Sequence, residues 1–161
     1  MLTRRVCQNA YMKQPDDSLG MMVGYRLKQA QAALRTRMDD ALRPLGLTTP
    51  QYACLELLSR TPGASNAELA RGGFVTRQTM NTLLRGLEQR GLVERADEAP
   101  TGRALPTTLT PAGQRLLAKA VMEVGAVQAR MVSTLTEGQA ETLRQLLAQC
   151  AEALNAPETG S

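Results

Sequence analysis

The chain has 161 residues, of which 43% are hydrophobic and 21% are charged, so its composition is that of an ordinary folded protein and not of a disordered chain. No uncharged apolar run reaches the roughly 18 residues that a membrane span needs, and the first residues lack the apolar core of a signal peptide. We therefore expect a cytoplasmic protein that does not bind a membrane. The absence of histidine excludes a histidine general base and a histidine-ligated zinc ion.

The chain has three cysteines, which lie far apart and form no C-x-x-C pair. This spacing predicts neither a metal site nor a disulfide framework. Cys54 and Cys150 lie in apolar runs, where we expect small buried side chains, whereas Cys7 lies in a polar segment. No lysine has a recognisable catalytic setting, and we expect neither enzymatic activity nor a bound cofactor. The 19 basic residues against 15 acidic ones give a net charge of +4, which permits an anionic partner.

The N-terminal part of the sequence predicts an arm followed by a long helix. Residues 1–17 are polar and have no periodic pattern, which indicates a flexible arm. An apolar stripe with spacings of three and four then predicts a helix that Pro44 and Gly46 interrupt. The members of this stripe are Leu19, Val23, Leu27, Ala30, Leu34, Met38, Ala41 and Leu45.

Three further helices are predicted in residues 48–91, each after a recognisable start signal. The first begins in one of two ways. Either Thr48 caps it and Gln51 completes a capping box, or Thr49 caps it and places Pro50 at the first helical position. The other two helices begin after Ser65 and after Thr76.

A β-hairpin and two long helices are predicted for the rest of the chain. The extended pieces 92–95 and 105–109 flank a tip rich in turn-forming residues, and Pro106 keeps the second strand short. Thr110 and Thr136 then begin the last two helices. The element order is helix, short helix, turn, helix and hairpin, and residues 66–90 within it have the proportions of a helix-turn-helix.

The helix after Thr76 has two chemically different sides. Its inward side carries Met80, Leu83, Leu84 and Leu87. Its other side, the reading face, consists of Arg77, Gln78, Asn81 and Arg85. Arginine pairs with guanine and the carboxamides pair with adenine in the major groove, while Thr76 and the helix N-terminus suit a phosphate. Arg103, in the hairpin tip, is placed to reach an adjacent minor groove. These six residues therefore predict a contact with double-stranded DNA; the alternative is a solvated helix side that happens to lack acids.

The outer helices carry long apolar stripes that the small central lobe cannot cover. Two copies of the chain would bury these stripes against each other, and a two-fold pair suits a two-fold DNA site. This interpretation divides the chain into a dimerisation helix (18–47), a helix-turn-helix lobe with its hairpin (48–110), dimerisation helices (111–155) and a tail (156–161). The alternative for the outer helices is an intramolecular bundle.

Five short motifs follow one another in a specific order: LGLTTPQ, ELA, a helix that begins with Thr-Arg, LEQRGLVER and LTPAG. On these motifs the chain resembles the MarR family of bacterial transcription regulators over about residues 19–154. The resemblance implies a mainly α fold with a small β-wing, in which a winged helix-turn-helix lobe joins a helical dimerisation layer. It also implies a homodimeric repressor that a small aromatic or phenolic ligand releases from its operator. The family's wing commonly reads Asp-x-Arg, whereas this chain has Thr101-Gly102-Arg103 and lacks the acid.

The ligand pocket is predicted less sharply. The candidates are Tyr25, Arg26, Arg35 and Tyr52: the arginines suit a carboxylate, and each tyrosine equally suits a core position. Two alternative functions stay open. One is a thiol-based redox-sensing repressor, although the resemblance places the reactive cysteine of that branch early in the first helix, where this chain has none. The other is a helical protein-interaction module that does not bind DNA.

Overall fold

The computed structural model describes residues 22–95 and 107–156. The predicted arm with Cys7, the start of the first apolar stripe, Arg103 with the rest of the hairpin tip, and the tail beyond Ala156 lie outside these residues. Within them the elements are α1 (Val23–Leu42), a 3₁₀ turn (Arg43–Leu45), α2 (Thr49–Arg60), α3 (Asn66–Gly72), α4 (Arg77–Gln89), β1 (Val93–Arg95), β2 (Thr107–Leu109), α5 (Pro111–Met131) and α6 (Glu137–Asn155). The predicted mainly helical fold with a small two-stranded wing is confirmed.

The helix starts lie where the capping signals predict them. Of the two possible starts of α2, the structure has Thr48 as the cap. The Gln51 backbone N–H donates to Thr48 Oγ1 at 3.4 Å, and the Thr48 N–H donates to Gln51 Oε1 at 3.0 Å. Capping boxes also begin α3 and α6, whereas Thr76 and Thr110 each accept a single backbone bond. These bonds satisfy amides that have no partner within their own helix.

The first helix ends earlier than its apolar stripe predicts. Regular helix stops at Leu42, and Leu45 lies in the 3₁₀ turn that follows. Pro44 has no N–H to continue the helical bonding, and Gly46 adopts a left-handed φ of 64° that ends the turn. We call Arg43–Gly46 the joint, because it links α1 to α2.

The core lies in the lobe formed by α2, α3, α4 and the hairpin, and it is completed by Leu42 of α1 and by Leu117, Ala120 and Val124 of α5. The predicted inward side of α4 is confirmed: Met80, Leu84 and Leu87 are buried and Leu83 packs against them. Cys54 is also buried as predicted, and burial raises the pKa of its thiol to about 12. A thiolate is therefore disfavoured at this position.

The hairpin is fixed to the lobe by its neighbours. Its two strands are antiparallel, with Val93 opposite Leu109 and Arg95 opposite Thr107. The Gly63 N–H donates to the Thr107 carbonyl at 3.1 Å, which attaches the turn after α2 to β2. Contacts of Arg95 with α4 place β1 beside that helix.

The outer helix α6 differs from the lobe. Ala140 is its only buried residue within the described part of the chain, and Leu146 and Leu154 are 52% and 85% exposed. The expectation that Cys150 is buried is therefore wrong for the single chain, because none of the described elements covers this side of α6. Among the described residues, no helix is long and apolar enough to span a membrane.

Candidate nucleic-acid interface

Helix α4 presents the reading face at the surface. Its four predicted members lie within about 100° of one another around the helix axis. Arg77, Gln78 and Arg85 are exposed, and Asn81 is half-buried. The Thr79 N–H donates to Thr76 Oγ1 at 3.1 Å, which caps the helix. The structure therefore brings five of the six predicted DNA-binding residues onto one element.

The start of α4 is also held by α3. Asn66 Nδ2 donates to the Arg77 carbonyl oxygen at 3.3 Å, and the inward side of α4 is packed in the lobe core. The reading face therefore sits on a rigid helix, which favours a defined geometry of its side chains over a flexible one.

Arg95, on β1, is a polar neighbour of the reading face that the sequence analysis missed. Its Nη2 donates to Asn81 Oδ1 at 3.5 Å, and its Nε lies 3.6 Å from Glu88 Oε2. Glu88 is about 20° from Arg77 around the helix axis, so the acid-free surface ends at the last turn of α4. Glu88 follows Asn81 by seven residues, which places both side chains on the same side of α4. This spacing was the sequence signal that an acid lies beside the reading face.

The turn between α3 and α4 contains an unusual residue. Phe74, the single phenylalanine of the chain, has a φ of 53° and is 96% exposed. A left-handed conformation costs a residue with a Cβ about 1–2 kcal/mol, and exposure of the ring forfeits its hydrophobic burial. From the sequence, this position was predicted only as part of the turn between two helices. An aromatic residue directly after Gly72-Gly73 was the available signal.

Beside this turn lies a cleft of about 370 Å³ between α1, the start of α2 and the α3–α4 turn. Its volume falls within the range of small-molecule sites. We call it the α1–α2 cleft; its lining includes Leu34, Arg35, Met38, Pro50, Ala53 and Phe74. The walls are mostly apolar, and Arg35 supplies one positive charge.

Of the four predicted ligand-binding residues, Arg35 is the one that lines this cleft. Tyr25 is exposed on the first turn of α1, and Arg26 Nη1 donates to Gln29 Oε1 at 3.1 Å. Tyr52 is half-buried against the lobe core. Its burial is the main cause that raises the pKa of its hydroxyl, and the nearby Glu56 carboxylate raises this pKa further. The structure thus does not bring the four residues together.

Asp39 connects Arg35 to the lobe. Its Oδ2 lies 3.8 Å from Arg35 Nε, while its Oδ1 accepts from Thr49 Oγ1 at 2.6 Å and from the Thr49 N–H at 3.2 Å. The Thr49 hydroxyl is the main cause that lowers the pKa of Asp39, against the opposing effect of burial. This carboxylate therefore ties α1 to the first turn of α2. In residues 22–95 and 107–156 no group of three or more acidic or cysteine side chains is placed to hold a metal ion.

Comparison with known proteins identifies the family of this lobe. A model of the MarR family matches residues 45–104. The HTH-type transcriptional repressor Rv2887 of Mycobacterium tuberculosis is 46% identical over 125 residues, which cover 78% of this chain and 90% of that protein. The chain belongs to the MarR family. The resemblance predicted from the motifs is thereby confirmed.

Solved structures of MarR family proteins share the fold. The structure of Rv2887 in complex with salicylic acid has a TM-score of 0.66 and 44% identity, and the match covers 80% of this chain and 96% of that one. The transcriptional repressor CouR, bound to a 23-mer DNA duplex, has a TM-score of 0.77 and 30% identity over 83% of this chain and 95% of its own. Both similarities extend beyond the lobe to the outer helices.

Proposed function

We propose that this MarR family protein is a homodimeric transcriptional repressor that a small aromatic acid releases from a pseudo-palindromic DNA operator. The observation that carries the proposal is the reading face, in which exposed Arg77, Gln78 and Arg85 project from a capped helix that α3 holds in place. The relative Rv2887 is a named transcriptional repressor, and CouR binds a DNA duplex, which supports the same role here.

The chemistry of the reading face suits the major groove. Arg77 and Arg85 each offer two parallel donors to guanine O6 and N7, and Gln78 offers a donor and an acceptor to adenine. Asn81 shares its oxygen with Arg95 and adds a donor. Thr76 and the free amides of the first turn of α4 are assigned to a phosphate, and Arg103 to the adjacent minor groove.

The dimer is proposed from the uncovered stripe on the outer helices. One side of α6 exposes Leu143, Leu146, Leu147, Cys150 and Leu154. A second copy would bury this stripe, and the two-fold pair would present two reading faces to half-sites one helical turn apart, roughly 34–36 Å. We accordingly keep residues 18–47 and 111–155 as the dimerisation layer and 48–110 as the DNA-binding lobe.

The effector site is proposed at the α1–α2 cleft. Rv2887 forms a complex with salicylic acid, and in this chain Arg35 lines the α1–α2 cleft, whose volume suits a small molecule. Tyr25, Arg26 and Tyr52 remain candidates, each outside that cleft. The ligand would act by favouring a dimer whose reading faces no longer match the operator.

The family consists of transcriptional regulators, and we propose that this member has neither catalytic activity nor a cofactor. Its place of action follows from its proposed partner: a repressor of this family acts where the chromosome is, which for a bacterial protein is the cytoplasm.

Fluorescence anisotropy with a duplex from the region upstream of the gene tests DNA binding. We expect log Kd to rise linearly with log salt, with a slope of about 0.9 per neutralised phosphate. Arg77→Ala should weaken binding by about 1–3 kcal/mol, as the loss of a bidentate base contact does. Arg144→Ala, which removes the same charge from α6, should have little effect. Salt-insensitive binding, or equal effects of the two variants, would count against the proposal.

A further inference from the structure

Phe74 combines two features that are unfavourable in the single chain. Its ring is 96% exposed, and its backbone is held at a φ of 53°, which glycine adopts far more readily. The turn that holds it is well bonded: the Phe74 N–H donates to the Arg71 carbonyl at 3.2 Å, and the Val75 N–H donates to the Ala70 carbonyl at 3.0 Å. Unusual backbone conformations that the surrounding structure maintains are concentrated at functional sites. We therefore expect Phe74 to have a functional role.

The position of Phe74 indicates what that role is. Phe74 is one of the residues that line the α1–α2 cleft, together with Leu34, Met38 and Pro50, and its exposed side chain has almost no neighbours of its own. Arg35 lines the same cleft from α1. Apolar walls, an aromatic ring and one guanidinium are the groups that a flat apolar molecule with a single carboxylate requires. Arg35 is available to such a ligand, since its contact with Asp39 is a long ion pair of 3.8 Å and its side chain is 63% exposed.

We propose that Phe74 is the residue through which an aromatic monocarboxylate in the α1–α2 cleft acts on α4, the recognition helix that carries the reading face. Arg35 binds the carboxylate of this ligand, and the Phe74 ring packs against its aromatic ring. The inference rests on the proposed function and adds to it the contact that links the effector to DNA binding.

The link is short along the chain. Phe74 lies two residues before Thr76, the cap of α4, and directly after the end of α3. A ligand that draws the Phe74 ring against α1 therefore displaces the start of α4 relative to the rest of the lobe. The effect requires only that the ligand contacts Phe74 better in the displaced arrangement than in the DNA-bound one.

Salicylate and its neutral analogue salicylamide are the probes, used with full-length dimeric protein. Calorimetry gives the affinity of each probe, and anisotropy gives the effector response, which is the ratio of duplex Kd with and without saturating salicylate. This ratio is independent of the DNA affinity that each variant starts from. The variants are Phe74→Gly, Phe74→Tyr and Arg35→Gln. Arg115→Gln is the control for loss of one exposed positive charge, since Arg115 lies on α5 outside the cleft.

Phe74→Gly should fold, because glycine adopts this φ without strain. We expect it to bind salicylate at least about tenfold more weakly and to lose the effector response, with Phe74→Tyr restoring both. Arg35→Gln should lose about tenfold in salicylate affinity and the preference for salicylate over salicylamide, which Arg115→Gln should keep.

The outcomes separate the two proposals. Failure of the wild-type protein to bind any duplex would overturn the proposed function itself. Duplex binding with no salicylate binding at millimolar concentrations would overturn the inference about the cleft. An effector response of salicylate that is equal in the wild-type protein and in Phe74→Gly would overturn the role of Phe74. The proposal that the protein is a repressor would still stand.

Discussion

The lobe and the outer helix α6 both carry apolar residues at helical spacing, but these residues have opposite environments. In the lobe, leucines such as Leu55 and Leu87 are completely buried within one chain. In α6, the leucines of an equally regular stripe are at least one-third exposed, with Leu146 at 52%. The same periodic pattern therefore predicts burial in both regions, but only the lobe achieves it alone.

This difference teaches that the two regions depend on different things for their stability. The lobe has its own core and should be insensitive to protein concentration. The apolar stripe of α6 is buried only when a second chain covers it, so we expect the contribution of α6 to stability to depend on association. Four predictions test this division, from the largest expected effect to the smallest.

Leu87→Ala should have the largest effect, since it removes a fully buried side chain from the lobe core. We expect a loss of about 2–5 kcal/mol in the free energy of unfolding, the usual cost of such a cavity. Denaturant unfolding followed by circular dichroism at two protein concentrations measures it. A loss that depends strongly on concentration would contradict the idea of an autonomous lobe.

Leu146→Asp should break the proposed dimer. A carboxylate buried in an apolar interface should raise the dimer dissociation constant at least about a hundredfold, or roughly 2.7 kcal/mol. Sedimentation equilibrium should show a monomer, and circular dichroism should show that the helices of the lobe remain folded. Ala148→Asp places the same charge on the other side of α6 and serves as the control; equal dissociation by both variants would show that the stripe is not the interface.

Asp39→Asn tests the contact between α1 and the lobe. The pKa of Asp39 is lowered in the folded state, so its ionised form stabilises the fold above the unfolded-state pKa of about 3.9, and this stabilisation is lost as the pH falls through the lower folded pKa. The Asp39 side chain is 40% exposed, so we expect a loss of only about 0.5–1 kcal/mol at neutral pH.

The difference between wild type and Asp39→Asn should shrink below about pH 4, since protonation then removes the charge from the wild-type side chain too. Unfolding curves at neutral and acidic pH give the comparison. Asp40→Asn removes a neighbouring charge whose partner Arg43 lies on the same segment, and it controls for net charge. A difference that grows on acidification would contradict the assigned sign.

Thiol labelling compares the lobe with α6 through one cysteine sulfur in each, that of Cys54 in the lobe and that of Cys150 in α6. In a Cys7→Ser background, buried Cys54 with its raised pKa should stay unmodified until the lobe unfolds. Cys150 should be protected in the dimer and modified rapidly in the Leu146→Asp monomer. Mass spectrometry of timed iodoacetamide reactions distinguishes the two sites. Rapid labelling of Cys54 in the folded protein would contradict its place in the core.

The sequence was sufficient where the deciding interaction is local. Capping residues are read from positions three apart, and Ser65 and Thr76 were predicted as helix starts for this reason. The inward side of α4 followed from helical periodicity alone. The two possible starts of α2 could not be separated, because Thr48 and Thr49 both fit a cap and Asp39, ten residues away, takes the Thr49 hydroxyl.

The sequence was insufficient where contacts come from distant segments. Arg95 joins Asn81 and Glu88 only because the hairpin folds back beside α4, and no spacing along the chain reports that. Cys150 appeared to be a core residue because its neighbours are apolar, yet the surface that would cover it belongs to no described element of this chain. The position of Arg35 in the cleft likewise depends on how α1 packs against the α3–α4 turn.

The bond from Arg90 to the joint has a mechanical consequence. Arg90, the C-cap of α4, donates from Nη1 to the Gly46 carbonyl oxygen at 2.9 Å, so the far end of the recognition helix is fixed at the point where α1 meets the lobe. Because this end of α4 is fixed, a displacement of its first turn tilts the helix about Gly46. The same bond prevents α4 from sliding along the DNA groove. The 13 residues of α4 span about 20 Å, so a shift of about 1 Å at its first turn rotates its axis by about 3°.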